Sequence, residues 1–182
     1  MHLVAISNTG PLVSAFQCGR CDLLRRYFSV VYITATEQTE IENHGWAGEL
    51  QAEIDNGFVE VLEELSEPER MEAAAVARQI AADPTSHDPD WRHRVPEAEA
   101  IVLMHQRPEL MIDQILLDEK AARSVAKTLG LSLTGFPGIV GRAGQDGLLT
   151  SDEIRQVLGS CQRQGTRYSQ ALIETVARTY GK

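Results

Sequence analysis

The sequence predicts an α/β domain in three layers, α/β/α, with helices on both sides of a central, mainly parallel sheet. Three observations lead there. Short apolar runs recur along the chain, most of them continuous rather than alternating, as strands buried on both faces are. Helix-like segments separate them, supplying the crossovers that parallel strands require. With 182 residues, 43% of them hydrophobic, the chain can bury one sizeable core, and at 5% aromatic that core is built from Ala, Leu, Ile and Val.

Leu3-Val4-Ala5-Ile6 is the first strand, and it stops at the small polar residues Ser7-Asn8-Thr9-Gly10. Pro11 suits the first turn of the next helix, through Leu12, Val13 and Phe16, because its missing N–H costs nothing there. Gly19 breaks that helix, a second runs over 21–28, and Ser29-Val30-Val31-Tyr32-Ile33 is the next strand. Thr34 or Thr36 can cap a helix that starts near Glu37 and carries Glu40 and Ile41. Asp55-Asn56-Gly57 marks a turn before the half-exposed strand 58–62. Residues 68–82 are Ala-rich and helical, whereas 83–96, DPTSHDPDWRHRVP, has three prolines and reads as a mobile loop. Helix resumes over 97–104, and strand 111–117 ends at Asp118. The helix after it has an apolar stripe of Ala122, Val125, Ala126 and Leu129; Gly130 closes it and 131–133 is the last strand. From about Gly138 the chain is mostly helical, ending in a helix over 169–180. The expected organisation is a domain over 1–148 and a C-terminal helical extension over 149–182, packed on the domain or forming a dimer surface.

A formal net charge of −9 excludes a polyanion binder held by bulk charge. Nucleic acid would have to be met by a local basic patch or through cations. Neither a basic-then-apolar leader nor an apolar run of about 20 residues is present, and three cysteines suit a reducing compartment. The expectation is a cytoplasmic protein with no membrane association.

In parallel α/β sheets the ligand crevice lies at the carboxyl ends of the strands. Asn8 and Asp118 are strand-end residues, Glu40 lies in the helix after the second strand, and Glu97 opens a helix directly after Pro96. Together they could form an oxygen-lined site for Mg²⁺ or Mn²⁺, which relieves carboxylate repulsion and suits phosphodiester hydrolysis. Each also has an ordinary reading: acidic residues number 26 and mostly face solvent, Asp118 could be a helix cap, and Asn8 a turn residue.

The run Ser7-Asn8-Thr9-Gly10-Pro11-Leu12, followed by Gly19-Arg20-x-Asp22-Leu23-Leu24, resembles the PIN-domain family of nucleases, of the VapC-like kind. More closely it is similar to a PIN-like subgroup opening S-[D/N]-T-x-P-L. Pro96-Glu97-Ala98-Glu99-Ala100-Ile101 is similar to that subgroup's G-E-A-E-A-I, and residues 117–130 to its strand-D-D-x-x-A-R-x-x-A-x-x-L-G block. Glu40 and the stretch Gly135–Val140 fit as well. The resemblance implies cleavage of single-stranded RNA by a Mg²⁺- or Mn²⁺-dependent quartet at Asn8, Glu40, Glu97 and Asp118. It implies a toxin held inactive by a small antitoxin protein, and a homodimer. Asn8 stands where most of the family has Asp; an amide brings no charge and cannot act as a base. The alternative is therefore a catalytically weakened module that binds RNA or a protein, and a third reading is a DNA nuclease.

Lys120, Arg123 and Lys127 share one helix face, either as a phosphate-binding stripe leading from Asp118 or as a solvated face. Cys18 and Cys21 form a C-x-x-C pair, but Cys161 is the only other thiol, so packing is a simpler account than zinc. His87, Trp91 and His93 lie in the 83–96 loop, where they could clamp a base or simply be solvated, and Arg20, Arg25 and Arg26 form a second basic group.

Overall fold

A computed structural model of the chain describes residues 2–182. Five parallel strands form one sheet in the order β3-β2-β1-β4-β5: β1 (Leu3–Ser7), β2 (Phe28–Ile33), β3 (Val59–Val61), β4 (Gln114–Leu116) and β5 (Leu133–Thr134). The pleat divides the core. Ala5 and Leu116 face one apolar cluster, while Ile6, Ile115 and Leu117 face the other. On the first face pack α1 (Thr9–Gln17), α2 (Cys21–Tyr27), α8 (Phe136–Gln145), α9 (Ser151–Arg163) and α10 (Gln170–Tyr180). On the second lie α5 (Glu67–Ala82), α6 (Val95–Gln106) and α7 (Lys120–Thr128). The α/β/α expectation holds, and the sheet is wholly parallel.

Strand order reverses direction at β1, whose neighbours are β2 and β4. Parallel sheets open a crevice at such a point, because the crossovers on either side diverge to opposite faces. Asn8 follows β1, and its N–H reaches Leu116 O at 3.1 Å, so both strands end at the same level.

Several boundaries differ from the sequence reading. Strand 111–117 shortens to 114–116: Pro108–Leu110 form a 3₁₀ turn and Met111 takes a left-handed φ of 50°. Asp113 then stitches the start of β4 to β1 through both its N–H and its carboxylate on Val4. The last strand is 133–134 rather than 131–133. Leu129 caps α7 and is 41% exposed, outside the apolar stripe that Ala122, Val125 and Ala126 form. Glu119, not Asp118, caps α7, accepting from Ala122 N–H at 2.8 Å. The segment before β3 holds a helix the periodicity did not reveal, α4 (Ala47–Asp55), joined to α3 (Ala35–Ile41) across a wide turn where Gly45 takes φ 88°.

Within 83–96, Trp91–Arg94 form a 3₁₀ turn; Arg78 lies 4.5 Å and Arg92 5.4 Å from the Trp91 ring centre, and His93 Nδ1 is 2.7 Å from Asp88. These contacts occupy two of the side chains considered for base clamping, Trp91 and His93, while His87 is exposed. Cys18 and Cys161 both donate to the Ser14 carbonyl, and all three cysteines are free thiols, in keeping with packing. The 149–182 helices share the apolar cluster of the first face with β1 and α1. No helix of the described residues is long and apolar enough to cross a membrane.

Candidate active site

The crevice at the β1–β4 switch point is a cavity of about 350 Å³, and Asn8, Glu40, Glu97 and Asp118 all line it. Each arrives from a different element. Asn8 occupies the N-cap position of α1 but makes no capping bond with its side chain. An Asn there ordinarily accepts from the second or third helical N–H, and here Pro11 has removed the third. Its Oδ1 is buried and accepts no hydrogen bond among the described residues.

Glu40 sits near the end of α3, which Thr34 and Glu37 start through a reciprocal capping box. The Thr9 hydroxyl donates to Glu40 Oε2 at 2.6 Å, tying the first turn of α1 to α3. Glu97 lies in the first turn of α6, where the helix dipole favours a negative group. Burial nevertheless pushes its carboxyl up to about 7; Glu40 and Glu119 add to the rise and Arg94 opposes it. Arg94 stands 3.9 Å away, and Glu97 Oε2 is buried with no partner among the described residues.

Asp118 is held at both oxygens. Oδ1 accepts Phe136 N–H, the first of α8, at 2.9 Å, and Oδ2 accepts the Tyr168 hydroxyl at 2.7 Å. Burial raises its carboxyl, against those two bonds and the nearby Arg123 charge. Gly135 is required beside it, since a β-carbon there would collide with Asp118 Oδ1.

A family profile described as a PIN domain matches residues 4–182. The chain belongs to the PIN-domain family. Comparisons with curated proteins and with solved structures return no match. PIN domains are, as a family, hydrolytic nucleases, and this one brings to one cavity the four residues that the sequence picked out.

Lys120, Arg123 and Lys127 do not join that cavity. They line a separate depression of about 420 Å³ with Thr85, Ser124 and Thr128. Arg123 spends Nη1 on Leu117 O at 2.7 Å, so only part of its guanidinium serves the depression.

The sequence reading missed several groups in and near the PIN site. His44, Glu119 and the C-terminal residues Gln164, Gly165 and Thr166 complete the cavity wall. Glu37, close enough to feel the charges of Glu97, Glu40 and Glu99, and Glu99 itself are both buried, both pushed above the usual carboxylate range chiefly by burial, and each with one oxygen unpartnered among the described residues. Glu119 adjoins a predicted ligand and Glu99 belongs to a matched motif, so each carried a signal. Tyr168, 50 positions from Asp118, carried none.

The donors at the cavity are hard oxygens, one amide and three carboxylates. Among the described residues, no three His, Cys, Asp or Glu side chains converge closely enough to hold a metal as placed. A closed protein cage is therefore not built. The set fits instead an ion such as Mg²⁺, which keeps most of its waters and takes one or two direct protein contacts. Asn8 Oδ1 and Glu97 Oε2, buried and unpartnered among the described residues, are the oxygens that could accept such an ion.

Proposed function

We propose that this PIN domain is a Mg²⁺- or Mn²⁺-dependent endoribonuclease. The observation that carries the reading is the meeting of Asn8, Glu40, Glu97 and Asp118 in one cavity at the switch point, with two buried oxygens unpartnered. In this reading Asn8 and Glu97 offer those oxygens to the ion, while Asp118 and Glu40 bound it with negative charge. The chemistry that Mg²⁺ or Mn²⁺ supplies at such a site is a more acidic water and neutralisation of charge on the leaving oxygen. Arg94 holds Glu97 from the protein side, and the Thr9 hydroxyl fixes the Glu40 carboxylate. Lys120 and Lys127, in their own depression, meet backbone phosphates away from the cut. The setting that goes with this reading is a cytoplasmic toxin, held inactive by a small antitoxin protein, and a homodimer; its support is family membership.

The test is cleavage of end-labelled single-stranded RNA with Mn²⁺ by the wild type and by Glu97→Gln. The expected result is cutting by the wild type and a loss of about 100-fold or more in the variant, of the order seen when a transition-state contact is removed. Equal rates in the two proteins would remove the assignment. A second reading, an RNA- or protein-binding module with little catalysis, is favoured by one observation: the orphaned oxygen at the strand end belongs to an uncharged amide. Asn8→Asp separates the two. If only the Asp variant takes up Mn²⁺ and cuts RNA, the module reading stands.

A further inference from the structure

We infer that Tyr168 is a positioning residue for the proposed reaction, fixing the direction in which Asp118 presents its carboxylate to the cavity. The inference rests on the nuclease reading above. A phenol has one proton, and an ionised carboxylate only accepts. The 2.7 Å contact therefore commits the Tyr168 proton to Asp118 Oδ2, and the 2.8 Å contact with Ser14 Oγ must run the other way, Ser14 donating to the phenol oxygen. The result is a one-directional relay from Ser14 in α1, through Tyr168 between α9 and α10, to Asp118 at the end of β4.

Both donors of the relay are shielded. Ser14 is fully buried and Tyr168 is 6% exposed. Water is therefore poorly placed to replace the phenol at Oδ2. With Phe136 N–H on Oδ1 and the phenol on Oδ2, rotation of the carboxylate breaks a charge-assisted bond whichever way it turns. Gly135 closes the remaining side, since nothing larger fits against Oδ1. Asp118 lines the same cavity as Gln164, Gly165 and Thr166, which belong to the C-terminal segment that carries Tyr168. That segment is consequently part of the site and not an appendage to it.

Tyr168→Phe keeps the ring in the core and deletes only the donor. The measurements are the Mn²⁺ dissociation constant by calorimetry, kcat and KM on single-stranded RNA taken separately, and the thermal midpoint. A hydrogen bond to a charged group is worth enough that its loss should weaken Mn²⁺ binding and lower kcat by about tenfold each, with KM within about twofold. Ser14→Ala leaves the phenol in place but unbraced, and both quantities should fall between wild type and Tyr168→Phe. If Mn²⁺ binding and kcat stay within about twofold of wild type in both variants, Tyr168 only anchors the C-terminal segment, and the inference is overturned even where the thermal midpoint drops. A rise in KM alone overturns it too. Should Tyr168→Phe not fold, Ser14→Ala decides by the same readings. A wild type that neither takes up Mn²⁺ nor cuts RNA overturns the nuclease reading and this inference together, whereas a competent wild type with unaffected variants overturns the inference alone.

Discussion

Glu37 has no exposed surface, spends Oε2 on the Thr34 N–H and leaves Oε1 without a partner among the described residues. Burial holds its carboxyl well above the ordinary value of 4.5, helped by Glu99, Glu97 and Glu40. Between the ordinary and the raised value, the folded chain keeps a proton that the unfolded chain has released, so this group lowers stability as pH rises through that window. Glu37→Gln keeps an oxygen for the capping box and removes the ionisation. The expected outcome is a thermal midpoint equal to wild type near pH 4 and higher by about 2 °C or more near pH 8, checked by calorimetry at both values. A variant less stable at both would mean that the acid itself is needed. This residue also marks what single positions disclose. Asn8 and Asp118 were legible because a strand that ends in a polar residue is a pattern along the chain. Glu37 and Tyr168 were not, because their burial is created by elements that meet only after folding.

At the scale of elements, the sequence located strands and helices well where apolar periodicity was strong, and less well where backbone geometry set the ends. Met111 in a left-handed turn moves the start of β4 by three residues, and nothing in its side chain announces that. The 47–55 helix escaped because only Leu50 and Glu53 along it are buried, too sparse a stripe to show a period. The face of α7 was left open between a phosphate stripe and a solvated surface. Lys120 and Lys127 are both exposed and share one depression, while Arg123 is partly committed to Leu117 O. The two lysines should therefore carry the contacts. Replacing both by Ala should lower the slope of log affinity against log salt by about 1.4, at about 0.7 per phosphate contact on a single strand, and raise KM with kcat unchanged. Filter binding across a salt series checks the slope. An unchanged slope would assign these lysines to solvent.

At the scale of the whole molecule, the boundary expected at residue 148 meets a core that does not divide there. Phe136, Ile139, Val140 and Ala143 of α8 belong to the same apolar cluster as Leu149, Ile154, Leu158, Ile173, Val176 and Ala177, and that cluster also holds Ala5, Leu12 and Ala15 of the N-terminal segment. Tyr168 ties the C-terminal helices to Asp118 as well, so removing them strips both an apolar face and a ligand to the site acid. Each large apolar side chain returned to water costs about 1.5–3 kcal/mol, and a domain holds only about 5–15 kcal/mol in reserve. A chain ending at 148 lacks six or more buried apolar side chains and uncovers their partners, a loss comparable to that whole reserve on the order-of-magnitude count. The expected outcome is that residues 1–148 alone show no cooperative thermal transition, while the full chain unfolds in one step, with far-ultraviolet dichroism and tyrosine fluorescence reporting the same midpoint. A truncated chain with its own sharp transition would show that the sheet and α1–α8 form a separable domain, with 149–182 an extension packed on it.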